Sequence, residues 1–421
     1  MTKERVLIIG GSPDLLRKAA RSGLSITYFQ KPGHFDPRSL RFCDQVHLID
    51  FQRVQLAAAL AKSLHSVEPF VRVLTQTESA LLISAHISDH LNLTSGDLNV
   101  ARTLHDKRKL RKLLNDANLG PVGFSCGGSL PELAEFVRRH GPSVVKPAMG
   151  SGSLGFRRIL SPDELAATWE WMAEVGMKHF MMEELLVGPE YSVETYSRDG
   201  EHTVLGITEK HLTAEAIEIG HVFPAALGTD VEATVAEFVA EVLAAVGLRD
   251  GLTHTEIILT SGGPRIVEAH NRRGGGRIND LVSVVRGVDM ESLYFSQPSA
   301  LVGLDPPSGA AATWFVHARP GRVVSISGLD AVRGMDGVLD ARLKVRPGDL
   351  VRPLQWSEDR CGHVVAHGKS AHEARRIAQR AAESIEIQTV SDSAAVELTL
   401  AERLDEVGEI LDPFMRDYPA P

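Results

Sequence analysis

The sequence predicts an α/β protein whose first unit is a parallel sheet and whose later units are built largely from antiparallel hairpins. Three observations lead there. Short apolar strands alternate with helices through the first hundred residues, a glycine-rich loop near residue 150 joins one strand to another, and a long hairpin beyond residue 250 sets two glutamates face to face.

In chain order, "RVLIIGGSPDLLRKAARSG" reads as strand, glycine turn and helix. "ITYFQ", "QVHLID" and "VRVLTQTE" follow as short strands, with the helix "FQRVQLAAALAKSLHS" between the last two. Buried strands that alternate with helices pair in parallel, because each crossover returns the chain to the same edge. The turn-rich "LNLTSGDLN" closes this unit. "VARTLHDKRKLRKLLNDANLG" is expected as one helix stopped by Asn118 and Gly120, with Pro121 beyond. Then come the strand "VGFSC", the helix "LPELAEFVRRHG", the strands "PSVVKPA" and "FRRIL", a helix capped at Ser161 and the strand "KHFMMEELL". Hairpins dominate from about residue 190, one turning at Asp199-Gly200, with the helix "EATVAEFVAEVLAAVGL" between two of them. A tail from about residue 300 carries strands such as "RVVSIS" and a late amphipathic helix. The domains implied are 1–98, 99–188, 189–300 and an extension, 301–421.

"KPAMGSGSLG" contains G-x-G-x-x-G at Gly150, Gly152 and Gly155. A dinucleotide fingerprint needs a helix straight after such a turn, with its N-terminus on the pyrophosphate. Here "FRRIL" follows, so the loop joins two strands. Its amides and the hydroxyls of Ser151 and Ser153 are suited to fold over phosphate oxygens, and Lys146 supplies positive charge beside them.

"HTEIILTSGGPRIVEAHNRR" carries most of the chemistry. A three-residue loop, Ser261-Gly262-Gly263, sets Glu256 opposite Glu268 and His254 opposite His270; a two-residue loop would shift that register by one. Like charges face to face destabilise a hairpin, whereas Mg²⁺ takes one or two carboxylates together with substrate phosphates. Arg272 and Arg273 follow, then three glycines that let a substrate approach the backbone. In "FMMEELLVGPEYSVE", Glu183 and Leu186 suit a nucleotide base and Glu190 a ribose.

The composition narrows the partners. A net charge of −9 gives no reason to expect nucleic acid, and no apolar stretch approaches the length of a membrane span. Three scattered cysteines point to a reducing, cytoplasmic setting and not to a disulfide framework.

The ordered set of Asp106-Lys107 opening a helix, Val144-Val145-Lys146-Pro147 with its glycine loop, "EELLVGPEYSVE", "HTEI" and "VEAHNRRGGG" resembles the ATP-grasp superfamily over about residues 1 to 300. Within it the chain looks most like the bacterial L-amino acid ligases that make dipeptides, through "LTQTES", "ITEKH" and "EIGHVFPA". The resemblance implies an N-terminal α/β domain, a lid subdomain and a mixed-sheet catalytic domain, with ATP clamped between two sheets. Lys107, Lys146, Ser151, Gly152, Ser153, Glu183, Leu186 and Glu190 would hold the nucleotide, with Lys146 and Arg272 catalytic. Glu256, Glu268 and His270 would hold Mg²⁺, for which Mn²⁺ can substitute. The family pattern has Asn where this chain has His270, with Asn271 one place later, so either completes the metal site. Glu78, Glu218, His221, Arg272 and Gly275 would line the substrate pocket. The substrates implied are a small carboxylate and an amine, and a homodimer is compatible with the resemblance.

The reading that follows is a ligase that activates a carboxylate as an acyl-phosphate and joins it to an amine. Two others stand beside it: a biotin-carboxylase-like activation of bicarbonate, and an ATP-sensing protein without turnover. The absence of a biotin-carrier segment leans against the first. The acyl-phosphate arginine argues against the second.

Overall fold

Strands β1 (Arg5–Ile9), β2 (Ser25–Gln30), β3 (Gln45–Leu48) and β4 (Arg72–Leu74) form a parallel sheet in the order β3-β2-β1-β4. Helix α1 (Pro13–Arg21) leaves β1 through the Gly10-Gly11 turn, capped by Ser12, whose hydroxyl accepts from the Leu15 amide. Helix α2 (Val54–Val67) covers one face, followed by α3 (Leu81–His90), which the sequence reading did not assign. In this computed structural model, residues 3–149, 152, 155–297, 301 and 307–392 are described.

The expected single helix after residue 98 is two helices, α4 (Leu98–His105) and α5 (Lys107–Asp116). Asp106 between them is extended, and its carboxylate accepts from the Arg108 amide as the cap of α5. Polar periodicity runs through the break, which is why the pattern read as continuous. The break aims Lys107 inward, and its amide donates to Ala148 O at 3.0 Å.

Strands β5 (Phe124–Gly127), β6 (Ser143–Lys146), β7 (Arg157–Ile159) and β8 (Phe180–Glu184) make an antiparallel sheet, β5-β8-β6-β7, backed by α6 (Leu130–His140) and α7 (Leu165–Glu174). Ser161 stands at the N-cap position of a 3₁₀ turn, Pro162–Glu164, without a side-chain capping hydrogen bond, and the α-helix starts only at Leu165.

The third sheet is the largest. Strands β9 (Glu190–Arg198), β10 (Glu201–Leu212) and β11 (Glu218–Phe223) are followed by α8 (Thr229–Val246), β12 (Gly251–Thr260) and β13 (Gly263–His270). Helices α9 (Ile278–Arg286) and α10 (Met290–Ser296) lead to β14 (Ala310–Val316). Next come β15 (Gly321–Ser327), α11 (Leu329–Arg333), β16 (Val338–Leu343), β17 (Leu350–Val351), β18 (Gly362–Gly368), α12 (Ala371–Glu383) and β19 (Glu386–Val390). Eight of these strands pair as β13-β12-β9-β10-β11-β14-β18-β16. The extension therefore continues this third sheet by hydrogen bonding, β14 pairing with β11 from Gly220↔Trp314 to Phe223↔Ala311. One face of β12 and β13 packs Ile257, Ile266 and Ala269 against Val235, Val239 and Leu114 of α8 and α5. Alternation along the strands leaves the other face to the site.

His317, just past β14, is partly buried, and neither ring nitrogen has a hydrogen-bond partner among the described residues. Burial, aided by the nearby Arg360 cation, pushes its pKa down to about 4. The unfolded chain takes up this proton near pH 6.5 and the folded chain only near pH 4, so this contribution to stability is lost as pH falls through that window. We expect His317→Gln to lose less stability than the parent between pH 7 and pH 4.5, read as the midpoint of urea unfolding. An identical pH dependence would contradict the assignment.

Candidate active site

The site rests on the register of the β12–β13 hairpin. The loop holds two residues, Ser261 and Gly262, with Thr260 paired to Gly263, and not three as expected. A β-bulge at Val267 makes up the difference: Ile257 pairs with Ile266, yet Glu256 pairs with Glu268 and His254 with His270. Extra residues of this kind re-aim side chains beside sites. Here the bulge lets Val267 and Glu268 both face the cleft. Across to β9, Glu256 meets Ser192 and His254 meets Glu194. The cleft face thus carries a carboxylate row and, next to it, a row of two histidines and a glutamate.

An open cleft of about 940 Å³ lies between the lid sheet and this face. It is lined by Lys107, Lys146, Gly152, Glu183, Leu186, Glu190, Glu218, Glu256 and Glu268, nine residues expected from the sequence and brought from five parts of the chain. Ser151 and Ser153 lie outside the described residues. The strap between lid and catalytic sheet, residues 185–189, is fixed at both ends: Leu185 N donates to Pro142 O at 2.9 Å and Leu259 N to Pro189 O at 3.0 Å. Gly188 is needed there, because a Cβ would lie 2.2 Å from Leu259 O.

Every oxygen of the glutamate pair has a cationic neighbour. Glu256 Oε1 lies 3.1 Å from His254 Nε2 and Oε2 lies 2.7 Å from Lys210 Nζ. Glu268 Oε1 lies 3.0 Å from His270 Nε2 and Oε2 lies 2.8 Å from Lys107 Nζ. Burial opposes ionisation of Glu268, but Lys107 and His270 outweigh it and hold the carboxyl well below its usual range. Glu256 shifts the same way, with burial offset chiefly by Lys210. Burial disfavours a charged His254, yet Glu194 at 2.5 Å and Glu256 raise its pKa to about 10, so the ring is an imidazolium. His270 is pushed up likewise by Glu78 and Glu268 against burial. Glu78, His105 and His270 each bring a ligand atom within 4.8 Å of the others, a grouping of metal-ligand type beside the carboxylate pair. The carboxylate pair itself is the donor set that suits Mg²⁺.

Lys210 was not anticipated. It is buried, with Nζ 2.6 Å from Glu190, 2.7 Å from Glu256 and 3.2 Å from Glu218, and these carboxylates raise its pKa well above normal despite burial. The one available signal was a lysine at an inward position of the strand "ITEKH". Burial first, and then the neighbouring carboxylates Glu256 and Glu218 working against the pull of Lys210, raise the pKa of Glu190. Glu183 proves to be occupied on both oxygens, by Arg111 at 2.6 Å and Lys146 at 2.5 Å. It therefore holds Lys146 in place, and Arg111 is a second residue the sequence did not mark.

Beyond the end of β13, Glu78 accepts from Arg272 Nε, and His270 Nδ1 lies 3.1 Å from Glu78 Oε1, with His105 Nδ1 at 3.3 Å. Burial works against this carboxylate, but His270 and Arg272 keep it well below its usual pKa. Glu218 pairs with Arg360 at 2.7 Å, and His221 Nδ1 meets Gly276 O at 3.0 Å. Gly275 faces open space.

The "ATP-grasp N-terminal domain" model matches residues 16–94, the "ATP-grasp domain" model residues 140–280, and the "L-amino acid ligase C-terminal domain 2" model residues 313–390. An uncharacterized protein of Sinorhizobium fredii is 29% identical over 327 residues, 75% of this chain and 67% of that protein. The L-arginine-specific L-amino acid ligase of Bacillus subtilis is 24% identical over 338 residues, 77% of this chain and 81% of that enzyme. The crystal structure of an L-amino acid ligase from Bacillus licheniformis superposes with a TM-score of 0.81 at 22% identity, over 93% of this chain and 100% of that one.

Removing one member of a buried charge group leaves the others uncompensated, at a cost of about 3–5 kcal/mol. Lys210→Met should therefore lower unfolding stability by about that amount, and Mg²⁺ should restore part of it in the variant more than in the parent. Calorimetric melting with and without Mg²⁺ checks this; a variant as stable as the parent would refute the role of Lys210.

Proposed function

We propose that the chain, which carries ATP-grasp domains and an L-amino acid ligase C-terminal domain, joins the carboxylate of one amino acid to the amine of another at the expense of ATP. The γ-phosphoryl group passes to a carboxylate oxygen, breaking its bond to the β-phosphate oxygen and releasing ADP. The amine nitrogen then attacks the acyl carbon; the C–N bond forms, the C–O bond to phosphate breaks, and phosphate and a proton are released. Splitting the reaction replaces a poor electrophile by a reactive one.

The observation that carries this reading is the convergence of Lys107, Lys146, Glu256 and Glu268 in one cleft, with Glu78 and Arg272 just beyond it. Leu186 and Glu190 line the adenosine end, and Glu183 steadies Lys146. Lys107, now on Glu268, and Lys146 are the cations that would turn to phosphate oxygens when ATP enters. Glu256 and Glu268 would hold Mg²⁺, which when bound screens the phosphate charge. Arg272 would grip the substrate carboxylate with its planar fork and stay with the charge as the mixed anhydride forms. Gly275 leaves the amine room to approach. The L-amino acid ligase type of the C-terminal domain supports ligation over carboxylation.

The direct test is ADP release against a panel of amino-acid pairs, with the mass of each product determined. A dipeptide mass in step with ADP supports the reading; bicarbonate-dependent ADP release without one would overturn it.

Arg272→Lys keeps the charge and loses the fork. It should leave the ATP dissociation constant nearly unchanged while kcat falls on the order of a hundredfold, the scale of losing one preorganised donor. A variant that turns over normally, or that fails to bind ATP, would show the role to be misassigned.

A further inference from the structure

Three side chains from separate parts of the chain converge beside the glutamate pair. Glu78 opens a short 3₁₀ turn after β4, His105 ends α4 at the break before Asp106, and His270 ends β13. Arg272 Nε engages Glu78 Oε2, which leaves Oε1 as the oxygen that both rings meet. His270 Nδ1 stands 3.1 Å from Oε1, and His105 Nδ1 stands 3.3 Å from it. Among the described residues this is the one group of three or more His, Cys, Asp or Glu side chains whose ligand atoms all lie within 4.8 Å of one another.

The spacing is that of a coordination shell. Imidazole nitrogen and carboxylate oxygen bind Zn²⁺ at about 2.0–2.1 Å, and the edge of a tetrahedron of such bonds is about 3.4 Å. Both distances to Glu78 Oε1 already lie close to that edge.

Burial and hydrogen bonding point the same way. The His105 side chain is 9% exposed, and its Nδ1 is not aligned for a hydrogen bond to any described residue, Glu78 included. A close nitrogen without that alignment suits a shared ion better than a shared proton. The His270 side chain is 4% exposed, and its far nitrogen, Nε2, stands 3.0 Å from Glu268 Oε1. Metal-binding histidines set their other ring N–H against a carboxylate in this way, which fixes the tautomer and the ring orientation. Two imidazoles and a carboxylate favour a borderline ion such as Zn²⁺ over Mg²⁺, which prefers an all-oxygen shell.

We propose that Glu78 Oε1, His105 Nδ1 and His270 Nδ1 bind one zinc-class ion, at a site separate from the Glu256–Glu268 pair. The ion displaces to water any proton carried on the two Nδ1 atoms, while His270 Nε2 keeps its proton towards Glu268. Three protein ligands leave a fourth position for water, as in zinc sites that do chemistry and unlike those that only hold a fold.

The test needs no turnover and so stands apart from the ligase reading. The full-length protein, stripped of metal by a chelator, is titrated with Zn²⁺ by calorimetry in excess Mg²⁺, and with Co²⁺ by visible absorption. We expect one Zn²⁺ per chain and the intense absorption of tetrahedral Co²⁺. His105→Gln should weaken Zn²⁺ binding by at least about a hundredfold, the upper end of what losing an outer partner costs. Glu256→Gln should leave it unchanged, since that carboxylate belongs to the other site. No binding, several weak ions in place of one, displacement by Mg²⁺, or binding that survives His105→Gln overturns the proposal, as does an equal loss in Glu256→Gln. If His105→Gln does not fold by circular dichroism, X-ray absorption of the Zn²⁺-loaded parent decides: two imidazoles on the ion support the site, and fewer refute it.

Discussion

Two glutamates face each other across a buried hairpin, and four cationic side chains surround them. Glu256 and Glu268 would repel at this distance from water, so the fold supplies Lys210 and His254 to one and Lys107 and His270 to the other. Each cation comes from a different place: β10, β12, the head of α5 and the end of β13. Holding them together requires the break at Asp106, the bulge at Val267 and the pairing of β9 between β12 and β10. The arrangement suits a site that must accept a polyanion with its cation, because lysines paired to carboxylates are ready to exchange one oxyanion partner for another.

Much of this was legible in the sequence, for local reasons. Glu256 and Glu268 lie on strands of clear alternation, and their pairing followed from counting across a glycine turn. The count reached the right pairs by a wrong route: the loop is one residue shorter, and the bulge restores the register. A bulge leaves no mark in a short apolar run such as "RIVEAH". The break between α4 and α5 was hidden from the periodicity in the same way, since a capping aspartate within a polar stretch does not interrupt the helical period; only the family resemblance, with Asp106-Lys107 opening a helix, marked it.

What the sequence hid was tertiary. Lys210 gains its meaning only when β9, β10 and β11 bring Glu190, Glu256 and Glu218 around it. Arg111 lies on a basic helix, where a solvated face is the ordinary expectation, yet it is buried against Glu183 and Ile266 O. His270 stood out as a departure from the family pattern; its two nitrogens lie against Glu78 and Glu268, which ties Glu78 to the glutamate pair through one ring. The extension after residue 300 read as strands and a helix packed on the preceding unit; that β14, β16 and β18 would lengthen the sheet of β9 to β13 had no local mark in the sequence.

The claim at the centre of this account is that the paired carboxylates act together on the metal and phosphates. It is tested most directly by ADP release from Glu268→Gln at saturating Mg²⁺ and substrates, alongside its circular dichroism. The substitution keeps the side chain's shape and removes one charge, so the account predicts an unchanged spectrum and ADP release lower by at least about a hundredfold. Full activity in a correctly folded variant would contradict it.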